Sequence, residues 1–427
     1  MKVNFIEELR WRGMIQDIMP GTEEALLNRS CSAYIGFDPT APSLTVGNLV
    51  AIMLLVHFQR AGHKPYVLMG GATGMVGDPS GKSEERKQMS LDTIAYNVEY
   101  QKKQFYKFLD FGTGDSKAEM LNNFDWFGQI KLLDFLRDVG KHLTLNYMMA
   151  KDSVKSRMET GISFTEFSYQ LLQGYDFYHL NQQHDVSLQM GGSDQWGNIT
   201  AGTELIRRMS GAEAFALTSP LLLKADGTKF GKSAEGNVWL DAELTSPYKF
   251  YQFWLNSADD EIAKFIRYFS LLSQPEVESL EAEHQNAPHL RILQKTLAKE
   301  LTVRIHGLQA YQKAIKSAEF LFGGGSIEFL QELNAADLIQ LFEGLPQFQI
   351  KAAELETQPD ILELLAVKTA IFTSKSEARK LIEGGGLILN KVKLTDPAFK
   401  VSEADLLASR YMVVQKGKKN YFLLEVI

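Results

Sequence analysis

The sequence predicts an α/β fold, in which helices surround a parallel β-sheet, followed by helical and small α+β regions. Apolar, strand-like segments at 32–37, 64–69 and 186–191 each run into a turn rich in Gly, Pro, Thr or Asp. The first and third of these turns lead into helix-like segments, which is the βα pattern of a parallel sheet. Because the carboxyl ends of parallel strands meet at one edge, these turns are candidates for a shared ligand site.

The length and composition are those of a globular protein. At 427 residues the chain is long enough for two or three domains, and 45% of its residues are apolar. Cys31 is the only cysteine, which excludes an internal disulfide and a cysteine-rich metal site. The N-terminal segment lacks the apolar core of a signal peptide, and the longest apolar run, 49–56, is far shorter than a membrane span. We expect a cytoplasmic protein with no membrane partner and no dedicated metal site.

The first turn lies in YIGFDPTAPSLTVGNLV, residues 34–50. A strand–turn–helix unit directs backbone N–H groups and the positive end of the helix dipole to one point, which favours a phosphate. Thr40 and Thr45 add hydroxyl donors, and Gly47 allows a ligand close to the backbone. An ordinary crossover with a capped helix explains the same residues and remains an alternative.

The second turn, GGATGMVGDPSGKS at 70–83, is rich in glycine but fits neither common nucleotide motif. It is one residue short of a P-loop and lacks the G-x-G-x-x-G pattern. It still places Asp78, Lys82 and Arg86 after a strand, where open α/β sheets bind ligands. A solvated turn with mixed charges is the alternative.

A polar face marks the segment FSYQLLQGYDFYHL. Tyr169, Gln173 and Asp176 lie at positions i, i+4 and i+7, so a helix places them on one side. Such a face normally meets solvent. The rest of this helix is apolar, however, which predicts burial, and a polar ligand would then satisfy these groups.

Two further segments continue the pattern. In VSLQMGGSDQWGNIT, Asp194 lies at a position typical of a helix N-cap or of a carboxylate that binds ribose. Arg207 and Arg208 follow on the next helix, where they either contact an RNA backbone or lie on an ordinary surface. In LLLKADGTKFGKSAEGNVWL, lysines surround two glycines. This basic loop suits a polyphosphate, and a hairpin with solvated lysines is the alternative.

The C-terminal region is basic although the whole chain has a net charge of −7. Residues 358–427 contain 11 Lys and Arg against 8 Asp and Glu, which hints at a local anionic partner. SKSEARKLIEGGGLILNKVKL, residues 374–394, predicts a helix, a glycine break and a strand with cations spaced to follow a nucleic-acid backbone. Solvated lysines on an amphipathic unit are the alternative.

Taken together and in this order, YIGFDPTAPSL, GDPSGKSEER, YQLLQGYDF, QMGGSDQWGNIT and KFGKS closely resemble the bacterial tyrosyl-tRNA synthetases, a family of class I aminoacyl-tRNA synthetases. The resemblance covers essentially the whole chain, and KFGKS stands in for the class signature KMSKS. One departure concerns the signature HIGH, which here reads TVGN, so that Thr45 and Asn48 replace both histidines. We expect activity to persist, because the Asn48 amide can donate in place of a histidine.

The resemblance implies a four-part organisation. Residues 1–222 are expected to form a Rossmann-like catalytic domain whose helical insertion makes a dimer interface. Residues 223–322 are expected to hold the KFGKS loop and an α-helical anticodon-side domain. A linker and irregular segment, 323–357, and an S-four-like RNA-binding domain, 358–427, are expected to follow.

The resemblance also implies roles for individual residues, which fall into four groups. The tyrosine-binding residues are Tyr34, Asp78, Tyr169, Gln173, Asp176 and Gln195. The ATP- or adenylate-binding residues are Gly36, Asp38, Gly47, Asn48, Gly192, Asp194, Lys232 and Ser233. The catalytic residues are Thr40, Thr45, Asn48, Lys82, Arg86, Lys229 and Lys232. The RNA-binding residues are Arg207, Arg208, Lys375, Arg379, Lys380, Lys391 and Lys393.

The implied reaction is the activation of L-tyrosine by ATP, with Mg²⁺ bound to the ATP, and transfer of tyrosine to tRNA(Tyr) by a homodimer. Two alternatives remain at this point. One is a catalytically impaired, synthetase-like RNA-binding or regulatory protein, which TVGN favours. The other is the sister enzyme for tryptophan, although paired groups that seek a hydroxyl suit phenol better than indole.

Overall fold

The computed structural model describes two compact units. One comprises the chain up to Thr245 together with Gln252–Ile305, and the other comprises Ser246–Tyr251 and His306–Ile427. The described residues are 4–80, 88–158, 161–223, 230–233, 236–322, 327–343, 345–417 and 420–427.

The first unit is organised around a six-stranded sheet with the order β1-β6-β5-β2-β3-β4. Its strands are β1 (Asp17–Ile18), β2 (Ser32–Phe37), β3 (Lys64–Met69), β4 (Glu119–Asn122), β5 (Val186–Gly192) and β6 (Phe215–Ser219). All neighbouring strands are parallel except β1, which runs antiparallel to β6. The predicted α/β fold with a parallel sheet is thereby confirmed.

The strand order explains where a ligand can bind. From β2 the chain proceeds to β3 and β4 on one side, whereas β5 and β6 lie on the other. The direction of winding therefore changes between β2 and β5, and the loops after these strands separate to leave a crevice at their carboxyl ends. The residues of β3 after Lys64 are all buried, as expected of a central parallel strand.

The helices occupy most of the remaining chain. They are α1 (Phe5–Arg12), α2 (Thr22–Asn28), α3 (Leu49–Arg60), α4 (Thr73–Val76), α5 (Leu91–Phe105), α6 (Phe124–Phe127), α7 (Leu132–Asp138), α8 (Leu145–Met149), α9 (Asp152–Met158), α10 (Phe164–His184), α11 (Trp196–Ser210), α12 (Pro247–Leu255), α13 (Asp259–Phe269), α14 (Gln274–Asn286), α15 (Ile292–His306), α16 (Leu308–Phe322), α17 (Ile327–Glu332), α18 (Ala335–Leu341), α19 (Ala352–Glu356), α20 (Ile361–Glu363) and α21 (Lys375–Glu383).

Short helical turns complete the list. They are 3₁₀ turns at Val46–Asn48, Gly140–His142, Ser193–Gln195, Pro288–Leu290 and Glu403–Asp405, and a π-helical turn at Leu364–Lys368. None of the described helices is long and apolar enough to cross a membrane.

Two helices position the site of the first unit. α3 is apolar on nearly all sides and is buried, which fits its place directly after the first turn. α10 has 21 residues; the Ser163 side chain caps its start by accepting from the Glu166 N–H, and Asp185 ends it in the left-handed region.

The second unit contains a five-stranded sheet with the order β11-β10-β12-β13-β9. Its strands are β9 (Gln347–Ile350), β10 (Leu387–Leu389), β11 (Val392–Lys393), β12 (Tyr411–Lys416) and β13 (Asn420–Val426). Alternate residues of β12 enter two different hydrophobic clusters, with Met412 and Val414 in one and Tyr411 and Val413 in the other. Both faces of the sheet are therefore covered, as the two-residue period of a strand requires.

The segment 327–357 differs from the expectation of an irregular connection. It forms α17, α18, β9 and α19, because apolar residues such as Leu330, Leu338 and Phe342 are buried in a cluster with the sheet. The GGGS sequence at 323–326, expected to be a linker, lies outside the described residues.

Candidate functional site

A cavity of about 550 Å³ lies at the carboxyl ends of β2 and β5. It gathers residues from widely separated parts of the chain, from Tyr34 to Phe230. The predicted site residues that line it are Tyr34, Gly36, Asp38, Thr40, Thr45, Gly47, Asn48, Asp78, Tyr169, Gln173, Asp176, Gly192, Asp194 and Gln195. Every residue predicted to contact a small molecule, and whose side chain or Cα is described, thus borders this one cavity. The exceptions are residues 232 and 233, of which only the backbone is described.

The most buried part of this cavity is built around the Asp176 carboxylate. One oxygen accepts a hydrogen bond from the Trp126 indole N–H at 2.9 Å, and the other accepts one from the Asn123 amide at 3.0 Å. The Tyr34 hydroxyl is also buried, and among the described residues it has no hydrogen-bond partner. A ligand hydroxyl would satisfy it, since a buried polar group without a partner is costly.

Electrostatics at this point follow from burial. Loss of solvent raises the pKa of Asp176 to about 8, although the hydrogen bonds from Asn123 and Trp126 oppose this, and the charge of Asp38 adds to the rise. The pKa of Tyr34 is raised well above its ordinary value by burial and then by the charge of Asp176. A neutral ligand group that both donates and accepts a hydrogen bond is compatible with these two groups.

A second cluster surrounds Asp78. Gln195 donates to one of its oxygens at 2.6 Å, and the other accepts from the Ser80 N–H at 3.0 Å and from the Asn198 amide at 3.3 Å. The same Asn198 amide group also lies 3.0 Å from the side-chain oxygen of Gln173. This arrangement holds a carboxylate and an amide oxygen side by side, which suits a ligand ammonium group.

Asp38 lies at the end of β2 with two hydroxyl donors. Thr73 donates to one carboxylate oxygen at 2.8 Å, and Tyr169 donates to the other at 3.1 Å. A side chain at Gly70 would collide with this carboxylate, since an added Cβ would lie only 2.2 Å from Asp38 Oδ1. Glycine is therefore required where β3 ends against Asp38.

Gly36 leaves space for a flat ligand, whereas Gly192 leaves room for a carboxylate. An added Cβ at Gly36 would meet no atom within 4 Å, so the wall of the cavity is open there. Asp194, expected at a helix N-cap, lies instead in the 3₁₀ turn Ser193–Gln195, and α11 begins after it. Its carboxylate lies close to Gly192, where an added Cβ would be 2.7 Å from Oδ1.

The TVGN segment forms a 3₁₀ turn at the entrance to α3. The backbone N–H and the hydroxyl of Thr45 both donate to the side-chain oxygen of Asn48, at 2.9 and 3.0 Å. The Thr45 hydroxyl, expected to face a phosphate, is thus directed at its neighbour in this structure.

Backbone hydrogen bonds hold this turn to a distant part of the chain. The Val46 N–H donates to the Val238 carbonyl at 2.9 Å, and the Leu240 N–H donates to the Leu44 carbonyl at 2.9 Å. Thr45 and Trp239 form the antiparallel bridge between these bonds. Gly231 of KFGKS also lies against the turn, since a Cβ added to it would be 2.9 Å from the Gly47 nitrogen.

The predicted basic residues are described only in part. Lys82, Arg86 and Lys229 lie outside the described residues, and of Lys232 and Ser233 only the backbone is described. That backbone is the strand β7 (Lys232–Ser233), which pairs with β8 (Gly236–Asn237). Phe230 precedes it and is buried against Phe265 and Phe269, with ring centroids 4.9 and 5.6 Å away.

The two arginines on α11 do not line the cavity. Arg207 and Arg208 both contact Glu204, at 2.8 and 2.5 Å, and these contacts lower the pKa of Glu204 to about 2, with the Arg207 hydrogen bond as the largest cause. Arg208 also donates to the carbonyl of His142 at 2.8 Å.

In the second unit, the predicted cations separate into two groups. Lys375, Arg379 and Lys380 are exposed on α21, and Lys393 is exposed on β11. Lys391 is directed inward, because it has a positive φ of 68° in the turn after β10. Its ammonium donates to the Tyr421 hydroxyl at 2.8 Å and to the Phe320 carbonyl at 3.2 Å, and burial lowers its pKa.

Several residues in or beside the cavity are not predicted by the sequence motifs. They are Thr73, Ser80, Asn123, Trp126, Gln189 and Asn198. Asn198 follows Gln195 by three positions in a helical segment, a spacing that places both on one face. Asn123 directly follows β4, at the sheet edge where ligands bind.

The described residues contain no group of three or more His, Cys, Asp or Glu side chains arranged to hold a metal ion. A protein-made metal cage is therefore absent from this part of the chain.

Comparison with known proteins identifies the family. Residues 26–323 match the model for class I tRNA synthetases (W and Y), and residues 337–424 match the model for the SYY-like C-terminal domain of tyrosine–tRNA ligase. The tyrosine–tRNA ligases of Cytophaga hutchinsonii and Bacteroides thetaiotaomicron are 62% and 55% identical to the chain, with 99% of each chain covered.

A solved structure agrees with these matches. A C-terminally truncated mitochondrial tyrosyl-tRNA synthetase from Aspergillus nidulans superposes with a TM-score of 0.67 at 30% identity, over 75% of this chain and 94% of that one. The resemblance inferred from the sequence motifs is thereby confirmed. The chain belongs to the class I tRNA synthetases for tryptophan and tyrosine and, among them, to the tyrosine–tRNA ligase family.

Proposed function

We propose that the cavity binds L-tyrosine and ATP and joins them to form tyrosyl-adenylate and pyrophosphate. Tyrosine then passes to the 3′-terminal adenosine of tRNA(Tyr). The observation that carries the proposal is that two groups lie together in the buried end of the cavity. They are the Tyr34 hydroxyl, which has no hydrogen-bond partner among the described residues, and the Asp176 carboxyl group. A phenol satisfies both groups at once, since it donates one hydrogen bond and accepts another.

This pairing supports selection of tyrosine over phenylalanine. Phenylalanine would bury the same two groups without giving either a partner, which costs more than the loss of an ordinary contact. Rejection of phenylalanine by tyrosyl-tRNA synthetases is itself the standard example of this effect. Tryptophan is disfavoured because its indole N–H can only donate, so the Tyr34 hydroxyl would lack an acceptor.

The remaining groups of tyrosine have candidate partners nearby. Asp78, Gln173 and Tyr169 are assigned to the ammonium group, because they present a carboxylate, an amide oxygen and a phenol oxygen on one side of the cavity. The tyrosine carboxylate is then free to attack the α-phosphorus of ATP, and pyrophosphate leaves. This carboxylate is already ionised, so the step needs no general base, and catalysis consists of positioning and charge stabilisation.

The ATP is assigned to the side of the cavity bordered by Gly36, Gly47, Gly192 and Asp194, where the wall is open at Gly36. The charge that develops on the phosphates is proposed to be stabilised by Thr40, Lys82, Arg86, Lys229 and Lys232. Ser233 is proposed to contact the bound nucleotide. Mg²⁺ is proposed to enter as part of the MgATP substrate, because this ion is usually bound through substrate phosphates rather than by an all-protein cage.

The transfer step requires a bound tRNA. A ribose hydroxyl of its terminal adenosine attacks the carbonyl carbon of the adenylate, and AMP leaves. The exposed cations Lys375, Arg379, Lys380 and Lys393 are assigned to the tRNA backbone. We assign Arg207 and Arg208 to the same partner. On binding, their contacts with Glu204 would be replaced by contacts with the tRNA backbone.

The assembly is proposed to be a cytoplasmic homodimer, with the catalytic, anticodon-side and RNA-binding functions of 1–222, 223–322 and 358–427 set out above. The helical insertion supports self-association, because large apolar side chains there are exposed. Leu133 is 77% exposed and Leu132 is 71% exposed. Sedimentation of the purified chain at micromolar concentration tests this, and a monomer would contradict it.

One assay tests the proposed chemistry. Exchange of labelled pyrophosphate into ATP is measured with tyrosine, tryptophan or phenylalanine in turn, and we expect exchange with tyrosine alone. Exchange that depends on tryptophan would assign the sister activity. No exchange with any of the three, in a protein that still binds tRNA(Tyr), would instead assign a catalytically impaired RNA-binding protein.

A further inference from the structure

Thr45 and Asn48 make a contact whose polarity is fixed by chemistry. A backbone N–H can only donate, so the Asn48 atom 2.9 Å from the Thr45 nitrogen must be the side-chain oxygen. The Thr45 hydroxyl donates to the same oxygen at 3.0 Å. The oxygen of the Asn48 amide is therefore fully engaged within the turn.

The other end of this amide is available to a ligand. With the oxygen held by Thr45, the NH₂ group of Asn48 must point away from Thr45. Within the part of the chain that the structure describes, this NH₂ group makes no hydrogen bond, although both residues line the cavity. Two donors are thus presented where the nucleotide is assigned.

We propose that Thr45 is a positioning residue that acts through Asn48 and makes no contact with phosphate. It holds the amide in the one orientation that presents N–H donors, rather than a lone pair, to an oxygen of the nucleotide. This inference rests on the proposed function, because the acceptor is an oxygen of bound ATP. The first and fourth residues of TVGN then act together, because Thr45 orients the Asn48 amide and Asn48 contacts the substrate.

The main-chain bonds that fix the location of the turn do not involve the Thr45 hydroxyl. Val46 and Leu44 are bonded to Val238 and Leu240 through main-chain atoms alone. Changing the Thr45 side chain should therefore leave the Asn48 amide held by the Thr45 N–H alone, so that it is less firmly oriented, without displacing the turn. That separation makes the proposal testable by kinetics.

The experiment is a double-mutant cycle on the full-length chain, measured as tyrosine-dependent pyrophosphate exchange. Thr45→Val removes the hydroxyl but keeps the backbone N–H, and we expect kcat to fall about three- to ten-fold with an unchanged KM for tyrosine. Asn48→Ala should cost more. In the Asn48→Ala background, Thr45→Val should cause no further loss, since Thr45 then has nothing to orient.

Two conservative variants separate positioning from folding. Thr45→Ser keeps the hydroxyl and should recover most of the rate lost in Thr45→Val. Asn48→Asp keeps an oxygen for Thr45 but replaces the NH₂ group by a carboxylate oxygen, so exchange should fall at least about 100-fold at an unaltered melting temperature. Exchange within about two-fold of wild type in Asn48→Asp would overturn the proposal.

The matched control is Thr373→Val. The N–H and hydroxyl of Thr373 likewise donate to one side-chain oxygen, that of Glu377, at 3.1 and 2.7 Å, but this residue lies outside the cavity. This control variant should not alter pyrophosphate exchange.

Additive losses from Thr45→Val and Asn48→Ala, or no loss from Thr45→Val alone, would refute positioning while leaving the proposed function intact. A wild-type protein without exchange would defeat the proposed function itself.

Discussion

Trp126 donates its indole N–H to a carboxylate oxygen of Asp176 across 2.9 Å, although the two residues are 50 positions apart in the chain. Together with the bond from Asn123, this contact occupies one lone pair on each oxygen and leaves the others for a ligand. Burial nevertheless raises the pKa of this carboxyl group to about 8, and no cation is among its hydrogen-bond donors in the described part of the chain to oppose the rise. A buried carboxyl group of this kind can discriminate between ligands with and without a hydroxyl.

Asp176→Asn should therefore weaken discrimination between tyrosine and phenylalanine. The asparagine keeps the size of the side chain but puts an NH₂ group where an Asp176 oxygen accepts from Asn123 or Trp126, so two donors face each other and a bound phenol loses its partner. We expect the ratio of kcat/KM for tyrosine to that for phenylalanine to fall at least about ten-fold in pyrophosphate exchange. Asp92→Asn, an exposed carboxylate on α5, is the control. Wild-type selectivity in Asp176→Asn would contradict the pocket assignment.

The raised pKa of Asp176 also predicts how stability depends on pH. Its pKa is about 8 in the folded protein against 3.8 as the ordinary value, so between about pH 4 and 8 the unfolded chain gives up a proton that the folded protein keeps. Stability from this group should therefore fall as pH rises through that window, by at most about 1.4 kcal/mol per pH unit. Urea denaturation of the tyrosine-free protein and of Asp176→Asn at pH 5, 6 and 7 measures this difference. Parallel pH profiles for the two proteins would show that Asp176 is ionised in the empty cavity.

Gly36→Ala should separate activity from stability. The added methyl group meets no atom within 4 Å, and alanine is better than glycine in a strand, so the melting temperature should stay the same or rise slightly. The methyl group occupies the open wall assigned to the adenylate, so kcat/KM for exchange should fall about 100-fold. Gly140→Ala is the matched control, because its Cβ would meet only Leu136, at 3.8 Å, outside the cavity. Full activity in Gly36→Ala would move the adenylate away from this wall.

Asn198→Ala tests a residue that the sequence motifs did not single out. Its amide lies between Asp78 and Gln173, so its removal should loosen both groups assigned to the ammonium of tyrosine. We expect the KM for tyrosine to rise about ten-fold, with a smaller change in the KM for ATP. Asn181→Ala removes a comparable amide, one that donates to the Val186 carbonyl at 3.0 Å outside the cavity, and should leave both constants unaltered. Equal effects of the two variants would argue for a general loss of packing.

The cations of the second unit should differ in what they contribute. A variant with Lys375, Arg379 and Lys380 all changed to Ala should keep pyrophosphate exchange but bind tRNA(Tyr) more weakly. The slope of log affinity against log salt should decrease by about one for each phosphate that the variant no longer binds. Lys391→Met should instead lower the melting temperature, because its ammonium bonds Tyr421 and the Phe320 carbonyl within the unit. A salt slope that changes in Lys391→Met and not in the triple variant would reverse this assignment.

The sequence predicted the parts of the site that depend on local spacing. Tyr169, Gln173 and Asp176 do share a face of α10, because helical periodicity alone decides that. The residues that support Asp176 were not predictable in this way, because Trp126 and Asn123 reach it from another segment through tertiary packing. The direction of Lys391 was missed for a different reason. It depends on a left-handed backbone conformation in a two-residue turn, which a count of charges does not reveal.

The main-chain bonds that join residues 44–46 to 238–240 bear on how this family can vary. Any amino acid other than proline supplies the same N–H and C=O groups, so the location of the turn survives exchange of its side chains. Side chains at positions 45 and 48 can therefore be substituted without a change in the main chain that carries them. Thr and Asn at the two histidine positions of the HIGH signature therefore need no rearrangement of the main chain, only side chains that fit each other.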